Sequence, residues 1–334
     1  MLDLSNESPF PIRNTLGLIS NARFGATICS LTELEHVLAH CRTLKANFVA
    51  LGAGSNILPL QTVDAYVCQI DIQGIDVVRE DLAAVQVKVG AGINWHAWVA
   101  RCLEMGWYGL ENLTMIPGNV GAAPIQNIGA YGVEVQNFIT RVYCLNLNGE
   151  TVVLERQECE FSYRSSVFKR RSELTVTAVE FRLAKSSMPF VDYPGLKDSL
   201  AGISAPTAVD VCKAVASIRT QKLPDPQQNP NAGSFFKNPI VEATFAVRLA
   251  EKLPNLQRYE LDSGVKLSAA QLIDELGWKD RGTEDVCCWQ KQPLVLVNQG
   301  LKRGEDLLSF AKLIQDDVLS AYGVTLELEP VVLS

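Results

Sequence analysis

The residues in this chain best suited to chemistry fall in a few short strings. In IPGNVGAAPIQNIGAYG, residues 116–132, four glycines (Gly118, Gly121, Gly129, Gly132) alternate with three amides, Asn119, Gln126 and Asn127. No Asp, Glu, Lys or Arg occurs between Asn112 and Val133. Glycines allow positive φ and close backbone approach, and amides supply neutral donors and acceptors. That combination suits a large, polar, aromatic ligand lying on main chain; a buried, tightly turned core segment fits it as well. In LGAGSN, residues 51–56, consecutive N–H groups with Ser55 and Asn56 can face phosphate oxygens. It is not a dinucleotide fingerprint, because G-x-G-x-x-G is absent. Paired with the 116–132 loop, it supports an extended, phosphate-bearing cofactor.

Side chains that could act on a substrate lie further along. Arg164 sits among aromatic and small residues in FSYRSSVFK, a setting for gripping a carboxylate or diphosphate, or for pairing a buried acid. Ser234, between Gly233 and two phenylalanines in NAGSFFKNP, can donate a proton at a dry site or simply begin a strand. Lys222 in TQKLPDP can meet an anion or remain solvated. Glu327 and Glu329 in LELEP share a face by the period of two. His36 and His40 are spaced i, i+4, but no third ligand accompanies them and no metal site is expected. All three histidines precede residue 97, which argues against a Ser–His–acid triad on Ser234.

These residues need elements to hold them. Leu31–Cys41 reads as a helix capped by Ser30 with Glu33 at the capping-box position. Phe48–Leu51, Tyr66–Ile70 and Val85–Val89 read as strands, and Trp95–Met105 as a helix ended by Gly106. Arg141–Leu147 and Thr151–Leu154 flank Asn148-Gly149, a hairpin signal, and Leu174–Leu183 is a further strand. Beyond a Lys/Ser/Pro/Gly-rich stretch at 184–206, helices are expected at Thr207–Arg219, Ser268–Leu276 and Glu305–Tyr322. Ser234–Lys237 looks extended, the Cys287-Cys288 pair marks a buried strand, Leu294–Asn298 is a strand, and Thr325–Val332 is a closing strand. Helices and strands mix without a regular βαβ alternation, so the expected fold class is α+β.

Composition sets the outer limits. With 334 residues, 47% apolar and 20% charged, the chain is long enough for two or three domains of ordinary globular type. A net charge of −7 argues against nucleic-acid or anionic-membrane partners, so an anionic ligand needs a few well-placed Arg or Lys residues. Nine scattered cysteines without a C-x-x-C pair suggest reduced thiols in a cytoplasmic protein. The start, MLDLSNESPF, shows no leader pattern, and no apolar run approaches the ~20 residues of a membrane span.

Taken in order, NTLG (14–17), LGAGSNIL, GLENLTMIPGNVGAAPIQNIGAYGVE, FSYRSSVFK, RTQKLPDP, NAGSFFKNP, LSAAQLID, PLVLVN and LELEP resemble the UDP-N-acetylenolpyruvoylglucosamine reductase family across nearly the whole chain. The resemblance implies an FAD domain of the PCMH/vanillyl-alcohol-oxidase type with two α+β subdomains at 14–184. A tyrosine-bearing loop and linker follow at 185–206, then a C-terminal α+β substrate domain at 207–334. It implies noncovalent FAD on Gly52, Ala53, Gly54, Ser55, Asn56 and Ile57, and on Pro117, Gly118, Gly121, Ala122, Gln126, Asn127, Gly129 and Tyr131. Arg164 and Glu329 match the residues that polarise the substrate carboxylate, and Ser234 matches the proton donor. Tyr193, Lys222, Asn238 and Gln292 match substrate-contacting positions. The terminus departs from the family's usual E-x-E-V, and a shift of two would put Glu327 in the acid's place.

The implied reaction is NADPH-dependent reduction of an enolpyruvyl UDP-sugar in peptidoglycan precursor synthesis, by a monomer that does not enter the membrane. Alternatives are another noncovalent-FAD oxidase or dehydrogenase of the same fold, and a non-catalytic nucleotide-sugar-binding module. LGAGSN lacks the histidine through which many such oxidases tether FAD. A binding module would be colourless.

Overall fold

In chain order the first strands are β1 (Phe10–Pro11), β2 (Asn21–Ile28), β3 (Phe48–Leu51), β4 (Ile57–Pro59), β5 (Thr62–Ile70), β6 (Ile75–Glu80) and β7 (Ala84–Gly90). They continue as β8 (Gly129–Ala130), β9 (Val133–Glu134), β10 (Ile139–Leu145), β11 (Thr151–Glu155) and β12 (Thr175–Ala184). The remainder are β13 (Ile240–Val241), β14 (Arg258–Leu261), β15 (Gly264–Leu267), β16 (Val286–Trp289), β17 (Gln292–Asn298) and β18 (Val331–Leu333). The helices are α1 (Leu31–Leu44), α2 (Trp95–Glu104), α3 (Pro194–Ser199), α4 (Ala208–Lys222), α5 (Ala243–Lys252), α6 (Ala269–Glu275) and α7 (Gly304–Tyr322). This is a computed structural model, and it describes residues 9–261 and 263–334; most of the MLDLSNESPF segment lies outside the described residues.

The chain divides into two units, each discontinuous in sequence. The first takes the chain up to Phe10, Ala22–Gly54 and Asp64–Gln221; the second takes Pro11–Asn21, Ser55–Val63 and Lys222–Ser334.

Two sheets organise the first unit. One has the order β1-β2-β5-β3, with β3 parallel to β5. Helix α1 lays Leu34, Val37, Leu38 and Cys41 into a core with Ile28, Tyr66 and Cys68. Ser30 caps it as expected, its Oγ accepting from the Glu33 N–H at 3.2 Å, but the Glu33 carboxylate accepts from the N–H of Cys29, one residue before the Ser30 N–H of a closed capping box. The other sheet, β11-β10-β12-β7-β6, is antiparallel throughout. Helix α2 buries Trp95 and Trp98 beside Phe181 of its central strand β12, with ring centroids 6.1 and 5.8 Å away. Truncating either indole would cost about 3–5 kcal/mol. The helix whose N-terminus carries these indoles is therefore firmly anchored.

The second unit has a small sheet, β13-β15-β14, a β16–β17 hairpin and a parallel pair, β4 with β18. Helices α5, α6 and α7 enclose a core in which Phe235, Phe236, Leu272, Ile273, Phe310 and Ile314 are buried. Trp278 packs edge-on against Phe310 at 5.7 Å and satisfies its indole N–H on Asp317 at 3.0 Å.

Several elements differ from expectation for identifiable reasons. The closing strand expected at Thr325–Val332 forms only at Val331–Leu333; Pro330 has no N–H to continue a ladder. Upstream, Leu328 makes an isolated bridge to Phe236. The Asn148-Gly149 hairpin closes at Leu145–Thr151, not in a two-residue turn. Asn146 Oδ1 accepts from the N–H groups of Asn148 and Glu150 and widens the loop. Strands β6 and β14 lie wholly exposed, so their sequences carry no alternation to read. Helix α5 was not anticipated, although its Ala246 and Leu249 are buried. Short helix α3 begins within the stretch read as loop, with Pro194 at its first position.

Candidate active site

In the first unit, β3 runs into the turn at Gly52–Gly54, where Gly54 takes φ +68° and Gln69 Nε2 donates to the Gly52 carbonyl at 2.6 Å. A methyl placed on Gly52 would lie 3.4 Å from Asn119 Oδ1 and 3.7 Å from Ala122 Cβ. The two glycine-rich strings expected to hold one ligand therefore lie against each other.

The 116–132 loop is clamped by the start of α2. Trp95 donates its main-chain N–H to Gly118 O at 3.0 Å and its indole N–H to Leu113 O at 2.8 Å. His96 Nδ1 accepts from the Met115 N–H at 3.3 Å, and Asn119 Nδ2 donates to Gly92 O at 2.5 Å. At Gly121 a Cβ would come within 2.5 Å of Ala91 Cβ, so only glycine fits there. Asn119 Oδ1 is buried and has no hydrogen-bond partner among the described residues. An orphaned acceptor costs about 1–3 kcal/mol unless a ligand hydroxyl or N–H meets it.

Not every amide of the loop faces outward. Asn127 is fully buried at φ +46°; its Nδ2 donates to Glu134 Oε2 at 2.8 Å and to Ser162 O at 3.2 Å. Its Oδ1 accepts from the Gln136 N–H at 3.1 Å. Its main-chain N–H donates to Pro124 O at 3.3 Å, so Asn127 holds the loop's shape from inside.

Arg164 is delivered to this loop by a tight turn. Ser162 and Ser165 exchange main-chain hydrogen bonds, Arg164 between them takes φ +51°, and Lys169 Nζ donates to its carbonyl at 2.8 Å. Its Nη2 donates to Gly129 O at 2.9 Å, while Ser166 Oγ donates to Ile125 O at 2.6 Å. The guanidinium is therefore fixed on the loop's last strand, β8. Tyr193, 39% exposed, meets Tyr131 edge-on with ring centroids 5.4 Å apart.

In the second unit, Asn231 shapes the approach to Ser234. Its Nδ2 donates to the carbonyls of Pro224 and Asn229, and its Oδ1 accepts from the Gly233 N–H. Ser234 bridges Val295 of β17, and Phe235 donates its N–H to Leu294 O at 2.7 Å. On the other side Glu329 donates its N–H to Phe235 O at 3.0 Å, and Lys237 donates to Glu327 O at 2.9 Å. This antiparallel register sets Glu329 opposite Phe235, one position from Ser234. Glu327 pairs with Lys237 Nζ at 2.8 Å and its side chain is 71% exposed, a poor setting for an acid at a dry site.

Asn238 Oδ1 accepts from the Ala269 N–H at the start of α6, which leaves its NH2 as the end of the amide to offer a ligand. Gln292 opens β17 opposite Trp289, whose indole N–H donates to Lys222 O at 3.1 Å. Lys222 and Gln292, far apart in sequence, are brought together by this tryptophan. Trp289 was not anticipated; its position beside the Cys287-Cys288 strand was the available signal. Arg219 on α4 was also missed. Its Nε is buried without a partner among the described residues, burial lowers its pKa, and Tyr131 nearby opposes that shift.

Residues 225–333 match the family model described as the UDP-N-acetylenolpyruvoylglucosamine reductase C-terminal domain, and residues 26–155 match an FAD binding domain. The chain is 43% identical to UDP-N-acetylenolpyruvoylglucosamine reductase of Chromobacterium violaceum over 96% of each chain. It is 43% identical to that of Burkholderia orbicola over 99% of this chain and 97% of that protein. The crystal structure of UDP-N-acetylenolpyruvylglucosamine reductase from Thermus caldophilus has the same fold, with a TM-score of 0.69 at 24% identity over 98% of this chain and 99% of that one. No described helix is long and apolar enough to cross a membrane. With glycine strings set against each other, an orphaned acceptor and a register that pairs Glu329 with Phe235, next in sequence to Ser234, the chain belongs to the UDP-N-acetylenolpyruvoylglucosamine reductase family.

Proposed function

We propose that this chain reduces the enolpyruvyl ether of UDP-N-acetylglucosamine-enolpyruvate to UDP-N-acetylmuramate, using NADPH and noncovalently held FAD, as a cytoplasmic monomer. The observation that most directly supports the chemistry is the register that sets Glu329 opposite Phe235 and one residue from Ser234. The register brings together the backbones that carry the hydroxyl and the carboxylate.

The first unit's residues fit FAD: main chain at Gly52–Gly54 and Gly118–Gly129, and the orphaned Asn119 Oδ1, make a neutral, donor- and acceptor-rich surface. Held there, FAD would supply hydride chemistry at the vinyl CH2 carbon, with NADPH as the reductant. Arg164 stabilises the negative charge that builds on the adjacent carbon and its carboxylate, and Glu329 helps polarise that carboxylate. Ser234 delivers the proton to that adjacent carbon, giving the lactyl ether. Because a serine is a weak acid, its placement supplies much of the help. Lys222, Gln292, Asn238 and Tyr193 bind the UDP-sugar.

The test is Ser234→Ala in the FAD-loaded protein. NADPH should bleach the flavin as in the parent, while reoxidation by the enolpyruvyl substrate should be nearly abolished. Normal turnover would remove Ser234 from the reaction. A flavin that bleaches slowly and ignores this substrate in the parent protein would favour an oxidase of the same fold.

A further inference from the structure

Between the end of β12 and α3 the chain is exposed, with Met188 90% and Phe190 43% accessible, yet it arrives at Tyr193 against a defined partner. On its C-terminal side Tyr193 is fixed by α3, whose Leu196 and Leu200 are buried with Val211 and Val215 of α4. On its N-terminal side Val191 packs against the same cluster, and the hydrogen bonds to the main chain at Phe190 come from one side chain. Asn112, 1% exposed, donates from Nδ2 to Phe190 O at 3.0 Å and to Tyr131 O at 3.1 Å.

The second acceptor is special. Tyr131 and Gly132 take φ +50° and +82° in the two-residue turn that joins β8 to β9. Phe190 lies over this turn so closely that a methyl on Gly132 would come within 2.3 Å of its ring. Tyr193 then places its ring on Tyr131 itself. The turn, Phe190 and Tyr193 form one packed group, and Asn112 ties its two segments through both N–H bonds of one amide. Removing the amide leaves two carbonyls without their donor and frees the Phe190 segment from the turn.

We propose that Asn112 is a positioning residue for substrate binding: it holds the Phe190–Tyr193 segment on the Tyr131–Gly132 turn and so sets Tyr193. This rests on the reading of Tyr193 as a substrate contact. The effect belongs in substrate affinity, since Asn112 spends its amide N–H bonds on the carbonyls of Phe190 and Tyr131.

A double-mutant cycle in the FAD-loaded protein tests it, reading KM for UDP-N-acetylglucosamine-enolpyruvate against kcat. Asn112→Ala should raise KM about tenfold, with a smaller change in kcat. In a Tyr193→Ala background the same substitution should change KM by less than about twofold, because what it positions is already gone. Phe190→Ala, at an exposed side chain, should give the same pattern and serves if Asn112→Ala fails to fold. Equal KM effects in both backgrounds, or no KM effect of either variant, would overturn the positioning role while leaving Tyr193 in place. Tyr193→Ala with unchanged KM would instead sink the reading of Tyr193, and the proposal with it.

Discussion

Asn56 donates from Nδ2 to the main-chain carbonyl of Glu329 at 3.3 Å, linking the glycine string near the amino terminus to the acidic string near the carboxyl terminus. The Asn56 carbonyl accepts in turn from the Val331 N–H at 3.0 Å, and β4 pairs with β18 from Ile57 opposite Val331. The residue that looked like a phosphate ligand in LGAGSN thus braces the strand end that carries the candidate acid. Asn56 and the acidic string, separate in sequence, are one structural device within the second unit.

Substituting Asn56 separates these roles. Asn56→Ala should lower kcat about fivefold, the worth of one hydrogen bond of about 1 kcal/mol, by loosening Glu329. Its FAD dissociation constant should move by less than about twofold on the same scale. Titrating the apoprotein with FAD and measuring steady-state kcat at saturating FAD gives both numbers. A weakened FAD affinity with normal kcat would assign Asn56 to the cofactor.

Gly129 controls the guanidinium of Arg164 from below. An alanine there would press its methyl to 3.2 Å from Arg164 Nη1 and 3.0 Å from Glu134 Cγ, and the carbonyl of the same residue accepts from Arg164 Nη2. Gly129→Ala should therefore lower kcat by about 10- to 100-fold through a displaced charge. Stopped-flow reoxidation of the reduced flavin by the enolpyruvyl substrate reads this directly. Reoxidation at the parent rate would show that Arg164 accommodates the methyl without consequence.

Much of this was legible from residue types. The Ser30–Glu33 cap, the strand Phe48–Leu51 and the helix ended by Gly106 follow from local rules, because capping, apolar runs and positive-φ glycines act over a few residues. What sequence could not show is which amides point inward. Asn119, Gln126 and Asn127 read alike, yet Asn119 keeps an orphaned oxygen while Asn127 is consumed by Glu134, Ser162 and Gln136. That division depends on partners up to 35 residues away. Trp289 escaped notice for the same reason, since its value lies in joining Lys222 to Gln292.

Asn127 offers a test of what keeps the loop in shape. Its left-handed φ is one that asparagine tolerates and alanine resists at about 1 kcal/mol, and three hydrogen bonds depend on its side chain. Asn127→Ala should destabilise the protein by about 3 kcal/mol, and Asn127→Gly by about 1 kcal/mol less, because glycine removes the strain but not the lost bonds. Urea denaturation of the two variants measures the difference. Equal losses would show that backbone strain plays no part.

The buried thiols give the fold an alkaline limit. Burial pushes Cys41 from an ordinary value of 9.0 to about 11, and Cys144, Cys159 and Cys288 to about 12. Tyr66, behind Cys41, is raised in the same way from 10.0 to about 12. In the unfolded chain these groups give up their protons near the ordinary values, while the folded chain keeps them. Unfolding therefore releases protons, and stability must fall as pH rises. The contribution is intact below about pH 9 and is lost through about pH 11 to 12, at up to about 1.4 kcal/mol per pH unit for each thiol. Melting temperature followed upward from about pH 8 should decline across that window, and Cys144→Ala should flatten the decline relative to its own value at neutral pH. An unchanged slope in the variant would mean that this thiol ionises in the folded chain as readily as in the unfolded one.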